Sequence, residues 1–279
     1  MKIHIENDKE GLAHIWASFK QNWNLYLMEA FGLAIFMVSA CFFGGMLEAK
    51  TAIFHNAIPD DFIRRVLMGV LMGSTALFIF YSPVTAPSGA HINPAVTITF
   101  FRLGKISKAD SFFYIIFQFI GGTVAVYIMQ KLMGDTLTGP PVNSVVTVPG
   151  KYGDIYAALA EFCIAFVMIT MVLFTSAQQQ LKKYTRIIAG CLVCIYVITT
   201  GPVSGFGMNP ARSFASALPA NIYTSFWIYM IIPFAGMLTA AECFVLIRSL
   251  REKNSSTIVH KNIYTKNTGN EKLFKDLNY

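Results

Sequence analysis

The chain has 279 residues, of which 54% are hydrophobic and 13% charged, with 24 phenylalanines and a formal net charge of +7. This composition is far from that of an average soluble domain, and apolar runs long enough to cross a bilayer recur along almost the whole chain. The basic residues lie in the connections between these runs. This excludes a basic nucleic-acid-binding face and predicts a multi-pass membrane protein.

The hydrophobic pattern predicts six membrane-spanning helices. A polar lead, residues 1–24, precedes them, and Trp16 and Trp23 within it have the positions of interfacial anchors. A Gly- and Pro-rich loop at 134–155 divides the chain, and a basic tail follows at 249–279. The six spans are predicted at about Leu25–Leu47, Ile63–Val84, Ser111–Met133, Ile155–Ala177, Thr185–Val203 and Thr224–Arg248.

Two tripeptides, Asn93-Pro94-Ala95 and Asn209-Pro210-Ala211, open short apolar runs after the second and fifth spans. Asn is a strong helix N-cap, and Pro is favoured at the first helical position, where its missing N–H costs nothing. Neither run approaches the roughly 20 apolar residues that a helix needs to cross a bilayer. Each therefore predicts a half-helix that enters the membrane without crossing it.

The order span, span, half-helix, span occurs twice, in about residues 25–133 and 155–248. Glu29 and Glu161 mark the same place in each copy. Because each copy has three spans, the two copies have opposite orientations in the membrane, which is the pattern of an inverted repeat. Most of the 22 lysines and arginines then fall on one side, so both termini are predicted to be cytoplasmic.

The irregular stretches before the two asparagines predict a pore. Non-helical backbone at membrane depth is tolerated only where it is buried in protein or lines a wet cavity. The half-helix N-termini would point at the bilayer centre, each with about half a positive elementary charge. Neutral solutes can exchange their water partners for the backbone there, whereas cations are repelled. The pore-lining carbonyls are predicted to be those of Gly89, Ala90, His91, Gly205, Gly207 and Met208.

The five cysteines lie inside apolar segments, and we interpret them as small buried hydrophobic residues. Cys191 and Cys194 have CxxC spacing, but they lie in the middle of a span without the context of a zinc or redox motif. We expect neither a metal nor a cofactor. The spans contain no nucleophile–base pair and no HExxH motif, so the chain is not expected to be an enzyme.

Residues 88–96, Ser-Gly-Ala-His-Ile-Asn-Pro-Ala-Val, and residues 201–213, Gly-Pro-Val-Ser-Gly-Phe-Gly-Met-Asn-Pro-Ala-Arg-Ser, resemble the two signatures of the aquaporin (major intrinsic protein) family. The resemblance covers about residues 25–248 and is closest to the aquaglyceroporin or plant nodulin-type pattern. It implies a right-handed bundle of six spans and two re-entrant half-helices. It also implies a homotetramer with one pore per subunit, in the plasma membrane or a bacterial inner membrane.

The resemblance also implies roles for individual residues. The two motif asparagines correspond to the central donors of the pore, and Arg212 is similar to the arginine of the outer constriction. Glu29 and Glu161 match buried glutamates that hold the re-entrant loops by hydrogen bonds. His91 is expected to brace the first loop. Glu242, in the sixth span, matches no family role.

The remaining constriction residues follow from the same resemblance. Val197 falls where strict water channels have a histidine, and Phe206 where glycerol channels have an aromatic residue. The residue from the second span is Met72 or Gly73. One residue argues against a glycerol channel: Ser213 stands where glycerol channels typically have an aspartate.

These features predict a passive channel for water and small uncharged solutes, such as glycerol-like polyols or urea, that excludes protons and ions. One alternative is a strictly water-selective pore, which differs only at the constriction. A second alternative, from another class, is a structural membrane scaffold with a vestigial pore.

Overall fold

The computed structural model describes residues 2–275, with side chains described for residues 15–250, and within this range it contains α-helices and no β-strand. Single 3₁₀ turns lie at Ala86–Ser88, Asn143–Val145 and Lys182–Tyr184. The helices in this range are α1 (Lys2–Glu48), α2 (Ile53–Ala57), α3 (Asp61–Tyr81), α4 (Pro94–Arg102), α5 (Lys108–Met133), α6 (Asp135–Thr138), α7 (Asp154–Ser176), α8 (Thr185–Ser204), α9 (Pro210–Ala220) and α10 (Phe226–Lys275).

Within residues 15–250, six helices are long and apolar enough to cross a membrane, namely α1, α3, α5, α7, α8 and α10. Their outer surfaces carry many exposed leucine, isoleucine, valine and phenylalanine side chains, as expected for helices that face lipid. The prediction of an all-α membrane protein with six spans is confirmed.

The helix that contains the first predicted span begins before that span. Residues 15–24 belong to α1 rather than to a separate lead, because no glycine or proline interrupts them. Trp16 and Trp23 are exposed on this part of the helix. Side chains of residues 1–14 and 251–279 lie outside the described part of the chain, so the cytoplasmic lead and the basic tail stay predictions there.

The starts of the second and third spans are fixed by capping side chains. The Asp60 carboxylate accepts hydrogen bonds from the backbone N–H groups of Phe62 and Ile63, at 2.8 and 2.9 Å, and α3 begins at the next residue, Asp61. The Ser107 hydroxyl accepts one from the N–H of Asp110 at 3.0 Å, and α5 begins at Lys108. Each cap satisfies N–H groups that a helix start leaves unpaired.

The two half-helices begin at the prolines of the repeated motif. Asn93 caps α4 by accepting from the N–H of Ala95 at 2.9 Å. Asn209 caps α9 by accepting from the N–H groups of Ala211 and Arg212, at 3.0 and 3.2 Å. At about 1.5 Å per residue, neither helix spans the roughly 30 Å of a bilayer core.

The packing of the helices follows the inverted repeat. In each repeat the first span packs against the third, α1 against α5 and α7 against α10. The second spans, α3 and α8, pack against each other across the molecule. Each half-helix packs mainly on the third span of the opposite repeat, α4 on α10 and α9 on α5, so the two repeats interlock around the half-helices.

Glycines permit the closest helix contacts, and these also repeat. A Cβ atom on Gly121 would lie 2.1 Å from the Ala30 carbonyl oxygen, between α1 and α5. One on Gly236 would lie 2.6 Å from the Phe162 carbonyl oxygen, between α7 and α10. Gly69, on α3, meets α8 in the same way, because its added Cβ would lie 2.8 Å from the Cys194 carbonyl oxygen.

The cysteines differ from their predicted burial. All five are free, and Cys41 is buried, but Cys163, Cys191 and Cys243 are exposed and Cys194 is partly exposed. The interpretation of all five as buried is therefore wrong. In a membrane helix, apolar residues face the surrounding lipid as well as the protein interior, so an apolar context does not predict burial.

Gly121→Ala should destabilise the protein. A methyl group cannot fit against the Ala30 carbonyl without moving a helix, and overpacking of this kind costs about 1–3 kcal/mol. Gly201→Ala is the matched control, because its added Cβ would meet Arg65 Cδ at an ordinary 3.7 Å. Thermal unfolding in detergent should show a lower midpoint for Gly121→Ala alone, and equal midpoints would contradict the close approach of α1 and α5.

Candidate permeation pathway

The two segments that precede the motif asparagines have the same unusual backbone. Positive φ angles occur four, three and one residues before each asparagine. For residues other than glycine this conformation costs about 1–2 kcal/mol each, so surrounding contacts must hold it. The residues and their φ angles are Gly89 (91°), Ala90 (48°) and Ile92 (43°) in the first loop, and Gly205 (74°), Phe206 (54°) and Met208 (49°) in the second.

The first loop is held by the buried carboxylate of Glu29, on α1. It accepts from the N–H groups of His91 and Ile92, at 3.0 and 2.6 Å, and from the Ser88 hydroxyl at 2.6 Å. Gln118 Nε2 donates a fourth bond at 2.8 Å. A carboxylate can be kept in such a site only when its lone pairs are satisfied in this way.

The second loop is held in the same way by Glu161, on α7. Its carboxylate accepts from the N–H groups of Gly207, at 2.8 Å, and Met208, and from the Ser204 hydroxyl at 2.6 Å. Like Glu29, Glu161 is fully buried. Both glutamates therefore bind the strained backbone just before the half-helices.

Sequence reasoning missed the tyrosines that complete these sites. The Tyr114 hydroxyl donates to the Ser88 carbonyl at 2.8 Å, and the Tyr229 hydroxyl donates to the Ser204 carbonyl at 2.7 Å. The sequence did contain a signal for Ser88 and Ser204, since each lies five residues before a motif asparagine. The tyrosines lie on the third spans, where comparison of the two halves would have paired them.

The two half-helices meet through their capping asparagines. Asn93 Nδ2 donates to the Met208 carbonyl of the opposite loop at 2.9 Å, and Asn209 Nδ2 donates to the Ile92 carbonyl at 2.6 Å. Each side chain therefore caps its own helix through oxygen and crosses to the other loop through nitrogen. An amide NH₂ has two hydrogens, so each asparagine keeps a second one for another acceptor.

A cavity of about 280 Å³ lies on one side of this meeting point. His91 lines it, stacks on Phe100 with ring centroids 4.9 Å apart, and has Nδ1 3.2 Å from the Thr97 hydroxyl. These contacts fix the ring against α4. The cavity walls include Gly89, Ala90, Asn93, Gly207, Met208 and Asn209.

A second cavity, of about 580 Å³, lies on the other side and contains the predicted constriction residues Met72, Val197, Phe206 and Arg212. Gly73 is not part of it. Its added Cβ would lie 2.8 Å from Cys194 Cβ, so it faces α8 instead. Of the two candidates on the second span, the structure therefore places Met72 at the cavity.

Both cavities are lined by Phe36 and Phe206, so these two rings mark the place where the cavities meet. Sequence reasoning missed Phe36. It lies seven residues after Glu29, which puts both on one face of α1, and this spacing was the available signal.

Arg212 is held by the central loop. Its Nη1 donates to the Val145 carbonyl at 2.9 Å and lies 3.4 Å from the Ser216 hydroxyl. Nearby, the Thr147 hydroxyl donates to the Ser213 hydroxyl at 2.9 Å. The side chain is buried, and its Nε has no hydrogen-bond partner among the described residues. That nitrogen is a donor in need of an acceptor.

Glu242, which had no predicted role, pairs with Arg102 at the end of α4. The closest nitrogen–oxygen distance is 2.8 Å, and both side chains are about half exposed. The pair joins the end of the first half-helix to α10, away from both cavities.

Known proteins are similar to this chain in sequence. The sequence matches the family model described as Major intrinsic protein over residues 16–244. It is 31% identical to aquaporin NIP1-2 of Arabidopsis thaliana over 201 residues, which cover 71% of this chain and 68% of that protein. It is 35% identical to a probable NIP-type aquaporin of Nicotiana alata over 164 residues, 58% of each.

The fold is similar to the X-ray structure of the aquaglyceroporin from Plasmodium falciparum. The TM-score is 0.64 at 18% sequence identity, and the match covers 78% of this chain and 93% of that one. At this identity the likeness concerns the fold alone.

Glu161→Gln should destabilise the protein, because an amide turns N–H groups toward backbone donors that need an acceptor. Loss of bonds to a buried charged group costs about 1.5–3 kcal/mol each. Glu242→Gln is the control, since a half-exposed pair contributes less than about 1 kcal/mol. Thermal unfolding in detergent compares the two, and an equal shift would contradict the supporting role of Glu161.

Proposed function

The chain belongs to the major intrinsic protein family, whose members are channels rather than enzymes, and we propose that it conducts uncharged solutes besides water. A channel for water and small solutes follows from the family. The finer proposal is that glycerol-like polyols or urea pass and that protons and ions do not.

The observation that carries the proposal is the pair of crossed asparagines. Asn93 and Asn209 present their remaining amide hydrogens where the two half-helix N-termini meet, so donors and positive helix ends converge on one point. A water molecule there accepts hydrogen bonds with its oxygen and turns its own hydrogens away on both sides. That orientation interrupts a proton-conducting chain of water, and the positive field opposes cations.

The composition of the constriction supports a polyol over water alone. Met72, Val197 and Phe206 provide apolar walls, and Arg212 provides hydrogen-bond donors. A polyol can lay its C–H face on the apolar walls while its hydroxyls accept from the guanidinium group. Ser213 lines neither cavity, because its hydroxyl is buried and bonded to Thr147.

We also propose that the channel is a homotetramer with a pore in each subunit, located in the plasma membrane or a bacterial inner membrane. The family resemblance supports the assembly. The excess of Lys and Arg on one side of the predicted topology supports cytoplasmic termini.

Osmotic experiments on reconstituted protein test the solute. In a glycerol gradient, vesicles should shrink and then recover their volume, whereas shrinkage without recovery would show a water-only pore. Val197→His should restore a polar wall and lower glycerol permeability by about tenfold or more while water still passes. A vesicle that shows no water permeability above the lipid background would contradict the channel itself.

Arg212→Ala should widen the constriction and remove its charge. We expect permeability to solutes larger than glycerol to rise by about tenfold, because a pocket lacking one contact discriminates less. Arg102→Ala removes an arginine that lies outside both cavities and serves as the control. Unchanged selectivity in Arg212→Ala would place the filter elsewhere.

A further inference from the structure

The second cavity, of about 580 Å³ and called the outer cavity from here on, contains the predicted constriction residues and is also lined by Arg65. Its Nε is buried and has no hydrogen-bond partner among the described side chains, and no carboxylate within residues 15–250 lies in ion-pair distance of it. The guanidinium group lies 5.7 Å from the centre of the Phe62 ring. Contact with the Phe62 ring gives the N–H groups of this guanidinium no hydrogen-bond acceptor.

The neighbouring Arg64 forms ion pairs with both acidic residues that line this cavity. It is buried and forms ion pairs with Glu48, at 3.3 Å, and with Asp61. Its Nη1 also donates to the carbonyls of Ile58 and Pro59, at 2.8 and 2.9 Å. Three arginines against two carboxylates give the cavity lining a net formal charge of +1, with His55 neutral. Both carboxylates pair with Arg64, and neither lies at ion-pair distance from Arg65 or Arg212.

These two charges lie at different depths. Arg65, Met68 and Met72 follow one another at helical spacing on the face of α3 that lines the cavity. Met72 belongs to the constriction with Arg212, and seven residues of helix place Arg65 about 10 Å further out. Arg65 thus lies at the mouth and Arg212 at the constriction.

We propose that the outer cavity is a binding site for small carboxylates, with Arg65 as its main ligand and Arg212 as a second positive charge, and that a bound carboxylate blocks the pore. The planar fork of a guanidinium group matches a carboxylate in two hydrogen bonds. The anion cannot continue inward, because Met72, Val197 and Phe206 offer no replacement for its hydration shell. Block of flux depends on the proposed channel function, but binding does not.

Malonate is a suitable probe, with malonamide as its neutral isostere. Osmotic water permeability of vesicles holding the full chain is measured with either compound on both sides and ionic strength matched by chloride. Malonate should lower permeability by about fivefold at saturation and malonamide should not, because only the charged form gains charge-assisted bonds. Each variant is scored as the fraction of its own permeability that malonate removes.

Arg65→Gln should raise the malonate concentration for half-block by about tenfold, the effect of losing a charge-assisted pair. Arg65→Lys keeps the charge but loses the planar fork of the guanidinium group. Its malonate concentration for half-block should lie between those of the wild type and Arg65→Gln. Lys151→Gln removes an exposed charge of the central loop that does not line the cavity, and its block should equal that of the wild type.

Thermal unfolding of purified protein provides a readout without flux, because a ligand that binds the folded state raises the midpoint. Malonate should stabilise the wild type more than Arg65→Gln. If the wild type conducts water but malonate neither blocks nor stabilises it, or if Lys151→Gln loses the effect equally, the site does not exist. If the wild type conducts no water, the proposed function fails while the thermal shift still decides the site.

Discussion

The reciprocal hydrogen bonds between Asn93 and Asn209 and the opposite loops are the interaction on which the structure depends. A helix that starts in the middle of a membrane exposes unpaired N–H groups where no bulk water can satisfy them. Here the oxygen of Asn93 pairs one of those groups and the oxygen of Asn209 pairs two, while the nitrogen of each asparagine donates to the opposite loop. The same side chains therefore make the half-helices possible and bring their positive ends together.

The strained loops would not hold this arrangement alone. Residues in left-handed conformation precede both asparagines, and the buried carboxylates of Glu29 and Glu161 bind the N–H groups among them. The inverted repeat supplies one such carboxylate to each loop. Its position on the first span of each repeat couples the pore backbone to the packing of α1 and α7.

The two halves are not equivalent, and the differences lie next to the predicted constriction. Gln118 adds a donor to Glu29, whereas the corresponding position on α10 is Pro233, which offers none. The second loop is supported instead by the central loop, whose Gly150 N–H donates to the Val203 carbonyl at 2.9 Å. The same central loop binds Arg212. The position of Arg212, the arginine of the predicted constriction, therefore depends on a connection that belongs to neither repeat.

Much of this architecture could be predicted from local pattern. The six spans follow from apolar run length, and the half-helix starts follow from Asn-Pro, because capping and the proline ring act within a few residues. A fall in hydropathy predicts the end of an apolar span rather than the end of a helix, and residues 15–24 continue α1 because no glycine or proline lies among them. The contact of Arg212 with Val145 could not be predicted, because it joins segments that are distant in sequence. Met72 could be chosen over Gly73 only from the structure, which shows that Gly73 lies on the face of α3 that packs against α8.

An experimental structure at a resolution that places ordered water tests the central claim most directly. We expect a single file of water through both cavities, with one molecule accepting hydrogen bonds from Asn93 Nδ2 and Asn209 Nδ2. Half-helix tips too far apart for the reciprocal bonds, or packed side chains that leave no water between Phe36 and Phe206, would contradict it.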